Sequence, residues 1–318
     1  MNDQEPLSRR RTTAESVLAQ GTVLSARYEI LDYIGAGGMG QVYKAHDRSL
    51  DEVVAIKVLL PHLLGSSLMS RRFRSEIKLA RRVTHRNVCR IHDYGEDGPL
   101  AYISMQFVDG VELTALIAQS DGLSVREAYA IAIQLADGLQ AIHDEGIIHR
   151  DFKSANVMVD RRGDPRLMDF GIAKLWHAEP GLTTDGLIAG TPAYMSPEQA
   201  AGEPLDPRAD LYSMGIVLFE LFTGTRPFTA DSVAAMLYKH AYEEPPLDAS
   251  IAAAIPGDVK PIIRKALAKQ RSERHSSAGE LKQALLDVRA AVPASGPDTT
   301  ETIVLKVGQL HGTRRSRR

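Results

Sequence analysis

Asp151, Lys153 and Asn156 lie within the stretch His149-Arg150-Asp151-Phe152-Lys153-Ser154-Ala155-Asn156, and thirteen residues after the asparagine the chain reads Asp169-Phe170-Gly171. Asp151 has the side chain to accept or orient a hydroxyl proton, and Lys153 the charge to neutralise a phosphoryl oxygen. Asn156 and Asp169 offer hard oxygen ligands of the kind Mg²⁺ takes. These are the parts of phosphoryl transfer, where positioning and charge stabilisation carry most of the catalysis.

Such residues need elements to hold them. Gly35-Ala36-Gly37-Gly38-Met39-Gly40 carries a Gly-x-Gly-x-x-Gly spacing that dinucleotide-binding turns share, but those turns open a helix. Here Gln41-Val42-Tyr43-Lys44 continues as an alternating strand, so the loop reads as a hairpin whose backbone amides can approach phosphates. No Lys-Ser or Lys-Thr follows Gly40, which excludes a Walker-type loop. Lys57 closes the apolar strand Val54-Ala55-Ile56-Lys57, where a charged ammonium needs a partner. Phe73, Ile77 and Ala80 recur at helical spacing and turn Glu76 inward, making it the expected partner. Taken alone, a strand-edge lysine reaching into water fits Lys57 equally well. The glycine loop upstream favours a phosphate anchor.

Strand patterns dominate from Tyr28 to Met105, and helical patterns follow Asp109-Gly110. Ser124 with Glu127 forms a capping-box pattern ahead of a helix carrying Leu135, Leu139 and Ile142, which Gly146 stops. A second helix runs from about 209 to 222 and ends at Gly224, and Ser277 with Glu280 repeats the capping pattern before Leu281 and Leu285. The expectation is an α+β, two-lobed domain over residues 28–290, with a strand-rich small lobe to about 105 and a helical large lobe from about 109. It is flanked by a flexible segment 1–27 and a disordered basic tail 291–318. No internal repeat appears.

The 318 residues, 44% hydrophobic and 25% charged, suffice for a full core. A net charge of −2 gives no general attraction to nucleic acid. Cys89 is the single cysteine, so no internal disulfide forms and a reducing compartment fits. No apolar run is long enough to span a membrane and none follows Arg9-Arg10-Arg11 as a leader would, which points to a cytoplasmic protein. The ten histidines show no metal-hydrolase spacing.

From Tyr28 to Val288 the chain resembles the protein kinase superfamily. The resemblance rests on the glycine loop with Val42, Val54-Ala55-Ile56-Lys57, His149-Arg150-Asp151 through Asn156, Asp169-Phe170-Gly171, and Ser196-Pro197-Glu198 in place of the family's Ala-Pro-Glu. Gly190-Thr191-Pro192-Ala193-Tyr194-Met195-Ser196-Pro197-Glu198-Gln199-Ala200 looks especially like bacterial, eukaryote-like Ser/Thr kinases.

The resemblance implies transfer of the ATP γ-phosphate to protein Ser/Thr hydroxyls, with Mg²⁺ and with Mn²⁺ as an alternative ion. Asp151, Lys153 and Asn156 would be catalytic, and Asn156 and Asp169 would hold the metal. ATP would lie against Ile34, Gly35, Ala36, Gly37, Gly38, Met39, Gly40, Gln41, Val42, Ala55, Lys57, Glu76, Met105, Gln106, Val108 and Asp169, its adenine meeting the connector 106–108 through backbone groups. Gln106 departs from the family's common Glu. Lys153 and Thr191 follow the Ser/Thr branch, Asp210 resembles the buried Asp that braces the catalytic loop, and Glu198 with Arg274 matches a structural ion pair. Arg150 before Asp151 suggests control by phosphate on Thr183 or Thr184, including autophosphorylation. The basic helix 71–82 reads foremost as a solvated face. A homodimer through the small lobe and a phosphothreonine reader at Thr299, Thr300 and Thr302 are the further partner expectations. The rival class, a partner-binding pseudokinase, would lack Lys57, Asp151, Asn156 or Asp169, and all four are present.

Overall fold

A computed structural model of the chain describes residues 17–61, 67–119, 122–170, 192–290 and 299–315. Val23–Leu24 (β1), Tyr28–Gly37 (β2), Gly40–Asp47 (β3), Glu52–Leu59 (β4), Ile91–Asp97 (β5) and Leu100–Gln106 (β6) form an antiparallel sheet in the order β1-β2-β3-β4-β6-β5. Ser67–Ala80 (α1) is inserted between β4 and β5. Strand alternation sorts the side chains into two cores. Tyr43, Val54, Ile56, Val58 and Tyr102 gather on the outer face with Tyr28 and Ile30. Ala55, Leu59, Ile103 and Met105 face inward with Phe73 and Ile77 of α1, in the core that continues into the large lobe.

Register decides what shares the inner face. Val42 and Ile103 lie opposite Lys57, and Lys44 and Met105 lie opposite Ala55. Directly opposed residues project to the same side of a sheet, so Val42, Ala55, Lys57 and Met105 line one surface.

The large lobe is built around Arg208–Thr223 (α5), buried at every position from Ala209 to Phe222. A helix buried on all sides belongs at the centre of a domain. Around it lie Leu113–Ile117 (α2), Val125–Asp144 (α3), Pro197–Ala200 (α4), Val233–Tyr242 (α6), Lys260–Ala266 (α7) and Ala278–Arg289 (α8). The local signals act as the residue types dictate. Ser124 and Glu127 make a reciprocal capping box on α3, and Gly146 (φ 72°) and Gly224 (φ 75°) take left-handed conformations just beyond α3 and at the end of α5. Ser277 caps α8, but Glu280 turns instead to Ser276 and Lys265.

Two features differ from the sequence reading. After Asp109-Gly110 the chain first forms Gly110–Glu112 (β7), which pairs with Val157–Asp160 (β8) and through it with Pro165–Leu167 (β9). Strands of three or four residues are too short to leave a periodic signal. The expected disordered tail is also corrected over part of its length, because Thr299–Arg315 forms a helix, α9. Its Ile303 and Val307 are buried in the main core, and Lys306 bonds Glu127 of α3 at 2.7 Å and the carbonyl of Gly122 at 2.8 Å. Composition gives no sign of this docking because the groove that receives α9 lies far away in sequence. Thr302 donates its hydroxyl to the Thr299 carbonyl, so these threonines begin a helix instead of an extended peptide. Among the described residues, no helix is long and apolar enough to cross a membrane.

Candidate active site

β8 begins one residue after Asn156 and β9 ends two residues before Asp169, so this hairpin fixes the distance between the two. The Met168 amide donates to the Asn156 carbonyl at 2.8 Å, tying the strands' outer ends together where the side chains emerge. Asp151 sits on the loop between α3 and β8. Asn156 Nδ2 donates to the Asp151 carbonyl (2.8 Å) and to Asp151 Oδ2 (3.1 Å), and Lys153 Nζ bonds the same Oδ2 at 2.7 Å. Asp151 is thus an oriented carboxylate with a cation beside it.

Lys57 reaches this group from the small lobe. Its side chain is 5% exposed, and its ammonium bonds Asp169 Oδ1 at 2.7 Å. The sequence reading assigns Lys57 to Glu76, and the pairing with Asp169 replaces it. Glu76, half-buried on α1, instead lies in the electrostatic field of Arg150. Burial acts to raise the Asp169 carboxyl, but the charge and hydrogen bond of Lys57 outweigh it, assisted by His149 and Lys153, and hold the group below the usual aspartate range. It is a carboxylate at neutral pH.

Asp210 braces the loop from α5. Oδ2 accepts from the His149 amide (2.7 Å) and from His143 Nε2 (2.8 Å), and Oδ1 accepts from the Arg150 amide (2.8 Å). The site holds two non-glycine residues with left-handed backbones, Arg150 (φ 68°) and Asp169 (φ 57°). Each such residue costs on the order of 1–3 kcal/mol and persists only where its surroundings enforce it. Burial pushes the Arg150 guanidinium down, while Glu76 and Asp210 act to raise it.

The glycine loop is the β2–β3 hairpin, with Gly35 opposite Val42 and Gly37 opposite Gly40. A side chain at Gly40 (φ 149°) would strike the Val58 carbonyl, whereas a Cβ at Gly35, Gly37 or Gly38 would meet no protein atom within 4 Å. Glycine at Gly40 therefore lets the hairpin lie on β4, and at the other three leaves the backbone open to a ligand. Ile34 is exposed on the bulged strand, and Ala36, Met39 and Gln41 complete the turn. At the connector, Gln106 N donates to Arg90 O at 2.9 Å, and the buried Cys89 thiol, pushed up to about 12 by burial, donates to Gln106 O at 3.5 Å. Val108 follows, 8% exposed.

Thr183, Thr184 and Thr191 lie outside the described residues. Glu198 and Arg274 form a bidentate pair (2.6 and 2.8 Å) away from the cluster. On α1, Arg74 pairs with Glu96, and just beyond it Arg81 pairs with Asp93, both at the surface. Sequence reasoning missed His143, which carries no motif and is recognisable only from its place in the last turn of α3. It also missed Gln199, whose Nε2 donates to the Arg150 carbonyl at 2.7 Å.

The family model described as protein kinase domain matches residues 28–286. The serine/threonine-protein kinase PknB of Mycobacterium leprae is 37% identical over 278 residues, covering 86% of this chain and 45% of that one. The serine/threonine-protein kinase pkn3 of Myxococcus xanthus is 40% identical over 280 residues, covering 83% and 50%. The chain thus spans about half the length of these curated relatives. Among solved structures, the PknI kinase domain of Mycobacterium tuberculosis superposes with a TM-score of 0.69 at 29% identity, covering 87% of this chain and all of that one.

Proposed function

The chain belongs to the protein kinase domain family, and from that premise we propose that it is a serine/threonine protein kinase, transferring the ATP γ-phosphoryl group to hydroxyls of protein substrates. The observation that carries this reading is the convergence of two bonded groups, Lys57 with Asp169 and Asp151 with Lys153 and Asn156, which the Met168–Asn156 backbone bond ties together and in which the charge of Lys153 acts on Asp169. Asp151, oriented by Asn156, takes the proton of the acceptor hydroxyl, and Lys153 beside it offsets charge on the transferring group. Lys57 and the hairpin backbone hold the phosphates, and Val42, Ala55 and Met105 offer the adenine an apolar surface.

Mg²⁺ fits the donor set. Asn156 spends its Nδ2 on Asp151 and keeps Oδ1 as an oxygen ligand, and Asp169 has Oδ2 beyond the oxygen on Lys57. Two hard oxygens suit an ion that completes its shell with phosphate and water, and when bound it supplies neutralisation of phosphate charge.

Asp151→Ala and Lys57→Ala are each expected to lower transfer from radiolabelled ATP to a peptide by several orders of magnitude while the protein remains folded by circular dichroism. Wild-type turnover in either variant would end the assignment. We further propose that phosphate on Thr183 or Thr184, placed there by autophosphorylation, recruits Arg150, which is held at the catalytic loop with Glu76 in its field. Mass spectrometry of active protein finding both threonines unmodified would refute this. We also propose dimerisation through the small lobe, on whose surface Leu50 is 63% exposed. A monomeric mass by light scattering at micromolar concentration would count against it.

A further inference from the structure

Gln199 divides one amide between two structures. Its Oε1 accepts from the Ser196 backbone amide (3.0 Å), and its own amide donates to Ser196 Oγ (3.3 Å), closing the capping box at the start of α4. Its Nε2 leaves that box and donates to the Arg150 carbonyl at 2.7 Å. Among the described residues no second donor reaches that carbonyl.

The acceptor's location gives the contact its consequence. The Arg150 carbonyl and the Asp151 amide belong to a single planar peptide unit. Asp210 already fixes the preceding unit by accepting from the Arg150 amide at 2.8 Å. Between these two planes stands the left-handed Arg150 (φ 68°), a conformation that a non-glycine residue leaves unless both sides are held. Asp210 supplies one hold from α5, and Gln199 supplies the other from α4.

We propose that Gln199 is a positioning residue for phosphoryl transfer, fixing the Arg150–Asp151 peptide plane and through it the direction in which Asp151 meets the acceptor hydroxyl. The role rests on the kinase reading above. It also joins α4, which follows residues 171–191 in the chain, to the catalytic loop through one side chain. Asp151 then depends on the seating of α4 as well as on its own neighbours Lys153 and Asn156.

Two substitutions separate positioning from helix capping. Gln199→Glu keeps an acceptor for Ser196 and removes the donor to Arg150, while Ser196→Ala weakens the cap and leaves that donor in place. Steady-state peptide phosphorylation and amide hydrogen exchange of the 148–153 segment are measured on both, beside thermal melting. Gln199→Glu is expected to lower kcat roughly 10- to 100-fold, the scale of a misplacement near 1 Å, with the KM for ATP little changed and faster exchange at the loop. Ser196→Ala is expected to melt earlier yet keep its kcat within about threefold, since loss of a cap costs stability by ~1 kcal/mol without touching Asp151. Where Gln199→Glu does not fold, Gln199→Met, similar in volume and uncharged, is expected to show the same fall in kcat. A Gln199 variant with wild-type kcat would overturn the proposal, as would kcat losses that track melting temperature equally at both positions. Wild-type protein that transfers no phosphate would remove the activity and this role together, an outcome distinct from an active wild type with an indifferent Gln199 variant.

Discussion

Asp210 shows how a residue without a chemical role governs one that has it. Its two oxygens serve three donors, the amides of His149 and Arg150 and the ring of His143. Burial favours its protonated form, but the hydrogen bond and charge of His143, with His149, hold it below the usual range. Asp210→Asn leaves one acceptor oxygen for three donors and brings an NH₂ against an N–H. The expected cost is about 1–3 kcal/mol for the stranded amide, and a fall in melting temperature of roughly 3–10 °C. Because the left-handed Arg150 relaxes once released, kcat should fall as well. Unchanged melting and turnover would show that the loop is held elsewhere. At this scale the sequence is legible where chemistry is local. Asp151, Lys153 and Asn156 share one loop, so their spacing foretells their meeting. The sequence pairs Lys57 with Glu76 where the fold pairs it with Asp169, because both are distant carboxylates and only the packing of α1 decides between them.

The helices were readable from their ends, because a cap is a contact between residues three apart. Ser124 with Glu127, Gly146 and Gly224 all act where their types predict. What helix faces touch was not readable, and here titration enters. His240 on α6 is fully buried against the rings of Tyr212 on α5 and Phe228. Burial, and then the Lys269 charge, push it down to about 4, and burial brings His275 to about 4 as well. Both start near 6.5 in an unfolded chain. Above that pH neither state binds the proton and stability is unaffected. Between about 6.5 and 4 the unfolded chain binds protons that the native rings refuse, so stability falls as pH falls, by up to about 3 kcal/mol for His240. Melting temperature should therefore decline on acidification, and His240→Leu should show a shallower slope between pH 7 and 4.5 than wild type, whatever its stability at pH 7. Equal slopes would mean that His240 is protonated in the native protein.

At the scale of the whole molecule, helix α9 changes where the folded unit ends. Glu127 is 1% exposed in the capping box of α3, and a carboxylate so placed needs a cation. The cation comes from Lys306, far along the chain, which also bonds the Gly122 carbonyl, while Gln119 Nε2 donates to the Lys306 carbonyl at 3.3 Å. Burial alone would raise the Glu127 carboxyl, yet Lys306 and Ser124 hold it below its ordinary value. Further along α9, His311 Nε2 lies 3.1 Å from Asp109 Oδ1, immediately after the connector between the lobes. Removing one member of a buried pair strands the other, at a cost of about 2 kcal/mol once the partial exposure of Lys306 is allowed for. Lys306→Met should then lower the melting temperature by roughly 4–8 °C. Truncation after residue 290 should lower it further, because Ile303 and Val307 also leave the core. The decisive comparison is between the 318-residue chain, its Lys306→Met variant and the 1–290 fragment in one calorimetric series. If the fragment melts with the full chain, α9 is not part of the folded unit. If it melts earlier while Lys306→Met does not, the apolar contacts hold the helix and the ion pair adds nothing. If both fall in the expected order, helix α9 is a structural part of the protein kinase domain.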